Sequence, residues 1–96
     1  MAELIPEDKL PTFMKKVPEW DLEDGDNSLI REFEFDEFME AIDFVNSVAE
    51  IADEAEHHPK IEVQDAVVRL SLQTLEQGGL TKLDFELATR IDTLVD

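Results

Sequence analysis

The sequence contains no cysteine, so it forms no disulfide, carries no thiolate nucleophile and has no cysteine-based zinc site. It also lacks a long apolar run. Its apolar stretches last a few residues, against the ~20 needed to span a bilayer. The opening Met-Ala-Glu-Leu-Ile-Pro has no basic segment followed by an apolar one, so no signal peptide is expected and a cytoplasmic location is the default. Basic residues are scarce as well: eight Lys and Arg stand against 25 Asp and Glu, a net charge of −17. That field repels a phosphate backbone and anionic lipid, so neither nucleic acid nor membrane is expected as a direct partner. A homodimer would double the charge, and its interface would have to be mainly apolar.

What is present suffices for one domain spanning 1–96. The 96 residues are 43% hydrophobic and 34% charged, a globular rather than a disordered composition. No repeat or low-complexity tract interrupts them. Pro6 to Lys16 reads as a short N-terminal helix interrupted by Pro11. Pro18 to Leu22 reads as extended, and Glu23-Asp24-Gly25-Asp26-Asn27 supplies turn chemistry. Leu29 to Phe35 then alternates apolar and charged residues, so the two pieces predict a hairpin.

Periodicity changes next. Phe38, Ala41, Ile42, Val45, Val48, Ala49 and Ala52 recur with the spacing of one helical face, with Asp36 as the natural N-cap. Pro59 disfavours helix at His58, so this helix should end near Ala55 to His57. Ile61 and Val63, then Val68, Leu70 and Leu72, alternate with polar residues and predict two strands joined near Asp65 and Ala66. After Gly78-Gly79 a last helix begins at Thr81, with Asp84 at capping-box spacing and Leu80 and Phe85 at staple positions. Its expected buried stripe is Leu83, Leu87, Ala88, Ile91, Leu94 and Val95. The predicted class is α+β: a four-stranded, mostly antiparallel sheet with two long helices on one face and a short N-terminal helix. The second face is then either solvated or joined to another subunit.

Candidate chemistry sits at Glu56-His57-His58-Pro59, which holds both histidines. A helix C-terminus and the carboxylates of Asp53, Glu54 and Glu56 both favour an imidazolium there, as suits general acid/base catalysis. Two adjacent helical side chains diverge by roughly 100° and chelate one ion poorly. With no third histidine and no cysteine, a metal site is the weaker reading. Helix-end histidines also serve simply to cap carbonyls. Ser28, Ser47 and Ser71 lack a nucleophile-elbow context. Gly78-Gly79 before a helix N-terminus offers an anion cradle or merely a turn, Asp84 offers acid/base help or merely a cap, and Trp20 and the phenylalanines read as core.

These residues resemble the pterin-4a-carbinolamine dehydratase family, some of whose members also act in animals as dimerisation cofactors of a homeodomain transcription factor. The resemblance runs from Leu10 to the C-terminus. It rests on Trp20, FEFDEF at Phe33 to Phe38, AEHHPKIEV at Ala55 to Val63, and TxxxGGLTxxDFxLAxxID at Thr74 to Asp92. It implies loss of water from a 4a-hydroxytetrahydropterin, such as 4a-hydroxytetrahydrobiopterin, without metal or cofactor. His57, His58 and Asp84 would be catalytic; Asp53, Pro59 and Thr74 would line the substrate site; the chain would form a homodimer or homotetramer. Two positions depart from the family. Asp65 and Ala66 stand where an aromatic residue is usual, and Leu75 stands where a third active-site histidine follows the threonine. Leucine neither donates nor accepts a proton. A second expectation therefore stands beside the first: a non-catalytic relative acting as an oligomeric scaffold or protein-binding assembly factor.

Overall fold

In a computed structural model that describes residues 3–23, 25 and 27–95, a 3-10 turn (Glu7–Lys9) runs into α1 (Leu10–Met14). Pro11 lies in the first turn of α1, where a missing N–H leaves no helical bond unmade. It starts this helix rather than interrupting it. β1 (Asp21–Glu23) and β2 (Ser28–Glu34) follow, then α2 (Phe38–Ala55), β3 (Lys60–Gln64), β4 (Val67–Leu72), a second 3-10 turn (Leu75–Gln77) and α3 (Lys82–Asp92). The α+β class and the expected element order are both found. The first strand begins at Asp21 rather than Pro18. In the following turn Asp24 and Asp26 lie outside the described residues.

The strands form one antiparallel sheet in the order β1-β2-β4-β3. Strand alternation sorts its residues onto two faces. On one, Leu29 stands opposite Leu72 and Phe33 opposite Val68, with Ile61 and Val63 continuing the row from β3. This face meets the helices, and Leu29, Phe33, Val68, Leu70 and Leu72 are buried there. Each such side chain is worth roughly 1.5–3 kcal/mol of transfer free energy. The other face centres on Arg69, flanked by Glu32 and Glu62 in register. Arg69 donates to both oxygens of Glu23 at 2.8 Å, and that carboxylate holds its guanidinium above the ordinary value. The uncovered face is thus charged rather than apolar.

α2 buries Ala41, Val48 and Ala52 of the expected stripe but is rotated enough to add Phe44, whereas Phe38 is half exposed and Ala49 lies at the surface. The helix is apolar over more than one face, and Phe44 wins the inward position by stacking against Phe33 and Phe35, with ring centroids 4.6 and 5.1 Å away. Its start is also shifted by one residue. Glu37, not Asp36, is the N-cap, and its backbone N–H donates to Glu40 at 3.0 Å. In α3, Leu87, Ala88 and Ile91 are buried as expected, joined by Phe85 and Asp84, while Leu83, Leu94 and Val95 are exposed. Leu94 and Val95 fall beyond the helix end, so the helical period no longer sets where they point. Trp20 is 2% exposed and donates its indole N–H to Asp92 at 2.8 Å, beside Arg31, which donates to the same oxygen at 2.6 Å. No helix among the described residues is long and apolar enough to cross a membrane.

Candidate active site

α2 ends in a left-handed residue, Glu56, with φ of 54°. Its N–H reaches the carbonyl of Asp53 at 3.1 Å, and the N–H of His57 reaches that of Ala52 at 3.0 Å. This pair of bonds is the Schellman pattern, normally built on glycine. It reverses the chain tightly and lays His57 back against the molecule, while His58 continues outward towards β3. The two adjacent histidines consequently enter different surroundings.

His57 lies at the start of α3. Its Nε2 is 2.6 Å from Oδ1 of Asp84, and the side chains are 12% and 0% exposed. An ionised carboxylate is an acceptor only, so Nε2 carries the proton. The other Asp84 oxygen accepts from the Thr74 hydroxyl at 2.9 Å and the Thr81 backbone N–H at 2.9 Å. Because Thr74 donates to Asp84, Thr81 donates to Thr74 across their 2.8 Å contact, and Thr81 in turn accepts from the Leu83 N–H at 3.2 Å. Each proton in this buried chain has one place to go. Such closure is what makes a fully desolvated carboxylate tolerable.

The expected capping box of Thr81 and Asp84 is therefore present, and Asp84 also binds His57. The same bonds fill the α3 N-terminus with the protein's own carboxylate. An anion cradle at Gly78-Gly79 is thereby disfavoured, because the N–H groups of Gly78, Gly79, Thr81, Leu83 and Asp84 are already engaged within the chain. Gly78 and Gly79 serve the turn: Thr74 pairs with Gly79, and a Cβ on Gly79 would come within 3.1 Å of the Asn27 side chain.

One ring nitrogen of His57 remains. Among the described residues Nδ1 has no hydrogen-bond partner, and no buried side-chain nitrogen or oxygen is left unpartnered. Nδ1 therefore reaches solvent. His58 lies 3.5 Å from Asp53, with side chains 69% and 87% exposed. These two and Pro59 line a groove of about 420 Å³ between α2 and β3, floored by Ala52 and Ile61, within the roughly 300–1,000 Å³ of small-molecule sites.

The six expected site residues thus form two groups: His57, Asp84 and Thr74 in a buried network, and His58, Asp53 and Pro59 around the groove. Thr81, which links Thr74 to the helix, was read only as a cap; its contact with Thr74 carries no signal in the sequence. Leu75 is 77% exposed in the second 3-10 turn, next to Thr74. Asp65 and Ala66 form the β3–β4 turn, with Asp65 at φ of 55°. Among the described residues no cluster of three or more histidine and carboxylate side chains is arranged to hold a metal ion.

A four-stranded sheet backed by two helices, with a histidine–aspartate pair tying the end of one helix to the start of the other, is an α+β architecture of the pterin-dehydratase class. The family model for pterin 4 alpha carbinolamine dehydratase matches residues 3–94, and the chain belongs to that family. A protein of Picosynechococcus named "Putative pterin-4-alpha-carbinolamine dehydratase" is 42% identical over 94 residues, covering 98% of this chain and all of that one. A relative of the same name in Acidobacterium capsulatum is 41% identical, over 99% of this chain and all of its own. Among solved structures, a transcriptional coactivator/pterin dehydratase from Brucella melitensis superposes with a TM-score of 0.90 at 25% identity, over 96% of this chain and 98% of that one. A pterin dehydratase-like protein described as a RuBisCO assembly factor in the alpha-carboxysome shares the fold, with a TM-score of 0.67 at 22% identity, over 78% and 87% of the two chains.

Proposed function

We propose that this protein is a hydro-lyase acting on a 4a-hydroxytetrahydropterin, and that His57, His58 and Asp84 carry the reaction. In that dehydration the C4a–O bond breaks, the adjacent ring nitrogen loses its proton, a C=N bond forms and water departs. The observation that carries the reading is the 2.6 Å contact between His57 Nε2 and Asp84. It holds the ring in the tautomer whose solvent-facing Nδ1 is free to accept a proton. His58, at the groove edge, protonates the departing hydroxyl. Asp84 orients His57 and stabilises the imidazolium formed after proton transfer. Asp53 and Pro59 shape the groove, Thr74 fixes Asp84, and the reaction uses no metal or cofactor. The relatives' names and the family match support the substrate class.

A second reading is favoured by one observation. Leu75 supplies a bare, exposed aliphatic group beside Thr74 and has no proton to exchange. A binding or assembly role in the same fold, the work ascribed to the RuBisCO assembly factor, would keep the network and dispense with turnover. The test is the decay of freshly generated 4a-hydroxytetrahydropterin, followed by absorbance, with the natural chain and with Leu75→His. Acceleration by the natural chain supports the dehydratase. Activity only in Leu75→His supports a retired dehydratase scaffold, and silence in both removes the pterin reading. A homodimer or homotetramer in the cytoplasm belongs to the same proposal, supported by Phe38 and Met39 on α2, 50% and 62% exposed. A monomer in light scattering at micromolar concentration would remove that part.

A further inference from the structure

The few basic side chains of this acidic molecule are not evenly used. Arg31, Lys60, Arg69 and Arg90 each lie within ion-pairing distance of a carboxylate. Among the described residues no carboxylate is that close to Lys9, Lys15, Lys16 or Lys82. With 25 acids available to eight bases, pairing is the easy outcome, so four unpaired lysines in one region stand out. Three of them line two adjoining pockets that share Phe13 and Lys82 and are taken together as one trough.

The trough runs between the N-terminal segment, α1 and one side of α3 from Lys82 to Arg90. Its first part, about 810 Å³, has Leu4, Ile5 and Phe13 as its apolar wall and Lys9 and Lys82 at its rim. The N-terminal segment is held there by the Ile5 N–H donating to the Leu80 carbonyl at 2.9 Å. The second part, about 530 Å³, shares Phe13 and Lys82 with the first and adds Phe85, Lys16 and Arg90. Phe13 and Phe85 pack with centroids 5.2 Å apart, and Lys16 Nζ stands 5.4 Å from the Phe13 ring centre. Among the described residues, Glu3 and Glu86 are the carboxylates that line either part. With Arg90 paired to Glu54, three unpaired lysines face two carboxylates there, which gives the trough a local sign opposite to that of the molecule.

We infer that this trough docks an acidic peptide segment of a partner protein, with aromatic or aliphatic side chains against Leu4, Ile5 and Phe13 and carboxylates on Lys9, Lys16 and Lys82. Charge complementarity selects the occupant. The −17 field repels most anions, so a ligand is retained only where apolar contact and a local run of unpaired ammonium groups coincide. The shared Phe13 and Lys82 make the trough longer than one side chain, which suits a peptide rather than a small anion. The inference is independent of the pterin reading, because none of these side chains belongs to the His57–Asp84 network or the His58 groove.

The experiment is fluorescence anisotropy with a dye-labelled peptide in which phenylalanine and leucine at helical spacing are separated by glutamates, run at low salt. Saturable binding is expected, weakened by added salt. Lys82→Glu and Lys9→Glu should each weaken it about tenfold or more, whereas Lys60→Glu, the same charge change on β3, should leave it within about twofold. Circular dichroism of the three variants checks that the fold is kept. Four results would overturn the inference: no saturable binding, equal losses at Lys82 and Lys60, equal affinity for the peptide with glutamine in place of glutamate, or binding to phosphatidylserine–phosphatidylcholine vesicles instead of the peptide.

Discussion

His57 and His58 are neighbours in the chain and opposites in the fold. His57 is largely buried, its Nε2 committed to a carboxylate that is itself fully enclosed. His58 is mostly exposed and faces Asp53 across 3.5 Å of open groove. The divergence arises from one backbone feature, the left-handed Glu56, which turns the first ring inward and releases the second. A pair of identical side chains thereby yields one fixed group and one adaptable group, as a reaction needing both a proton acceptor and a proton donor would use.

The comparison breaks most completely at Asp84. Asp84→Ala leaves His57, the Thr74 hydroxyl and the Thr81 N–H without their acceptor inside the protein, so a stability loss of about 3 kcal/mol or more is expected in urea denaturation. Unchanged stability would mean that the network is not closed as described. His57→Gln is the sharper change for activity. The amide still donates to Asp84 yet has no base to offer, so dehydration should slow by ~10²–10⁴-fold while the melting temperature shifts little. Thr74→Val removes one donor from Asp84 and strands the Thr81 hydroxyl, at a cost of about 1–3 kcal/mol measured the same way. Glu56→Gly relieves the left-handed strain and should stabilise the chain by about 1 kcal/mol; a loss would show that the Glu56 side chain contributes more than its backbone costs. Smallest of all, Asp53→Asn should alter stability by less than about 0.5 kcal/mol, because its contact with His58 is exposed and screened.

The same contrast marks how far the sequence could be read. The strand alternation around Val68, Leu70 and Leu72 and the turn at Asp65-Ala66 were legible because they are local patterns. α2 was legible as a helix and in part of its buried face, since Ala41, Val48 and Ala52 lie inward as expected, but Phe44 was not foreseen there. It carries one apolar row through Ala41, Phe44 and Val48 and another through Phe38, Ile42, Val45 and Ala49, and periodicity alone does not say which meets the sheet. Asp84 was legible as a helix cap from Thr81, three residues away. Its bond to His57 was not, because the two are 27 residues apart and only the packing of α3 against the end of α2 joins them. The family resemblance named both as site residues without saying which nitrogen binds, or that His58 would part from His57.

The difference between the two rings is read most directly by long-range nitrogen–proton NMR of the imidazoles, with and without a dihydropterin. His57 should show a protonated Nε2 and an acceptor-type Nδ1 that moves when the pterin is added, while His58, 69% exposed, should show no single fixed tautomer. A His57 protonated on Nδ1 alone, or one whose Nδ1 is indifferent to the pterin, would contradict the pairing with Asp84 or its role in proton transfer, respectively.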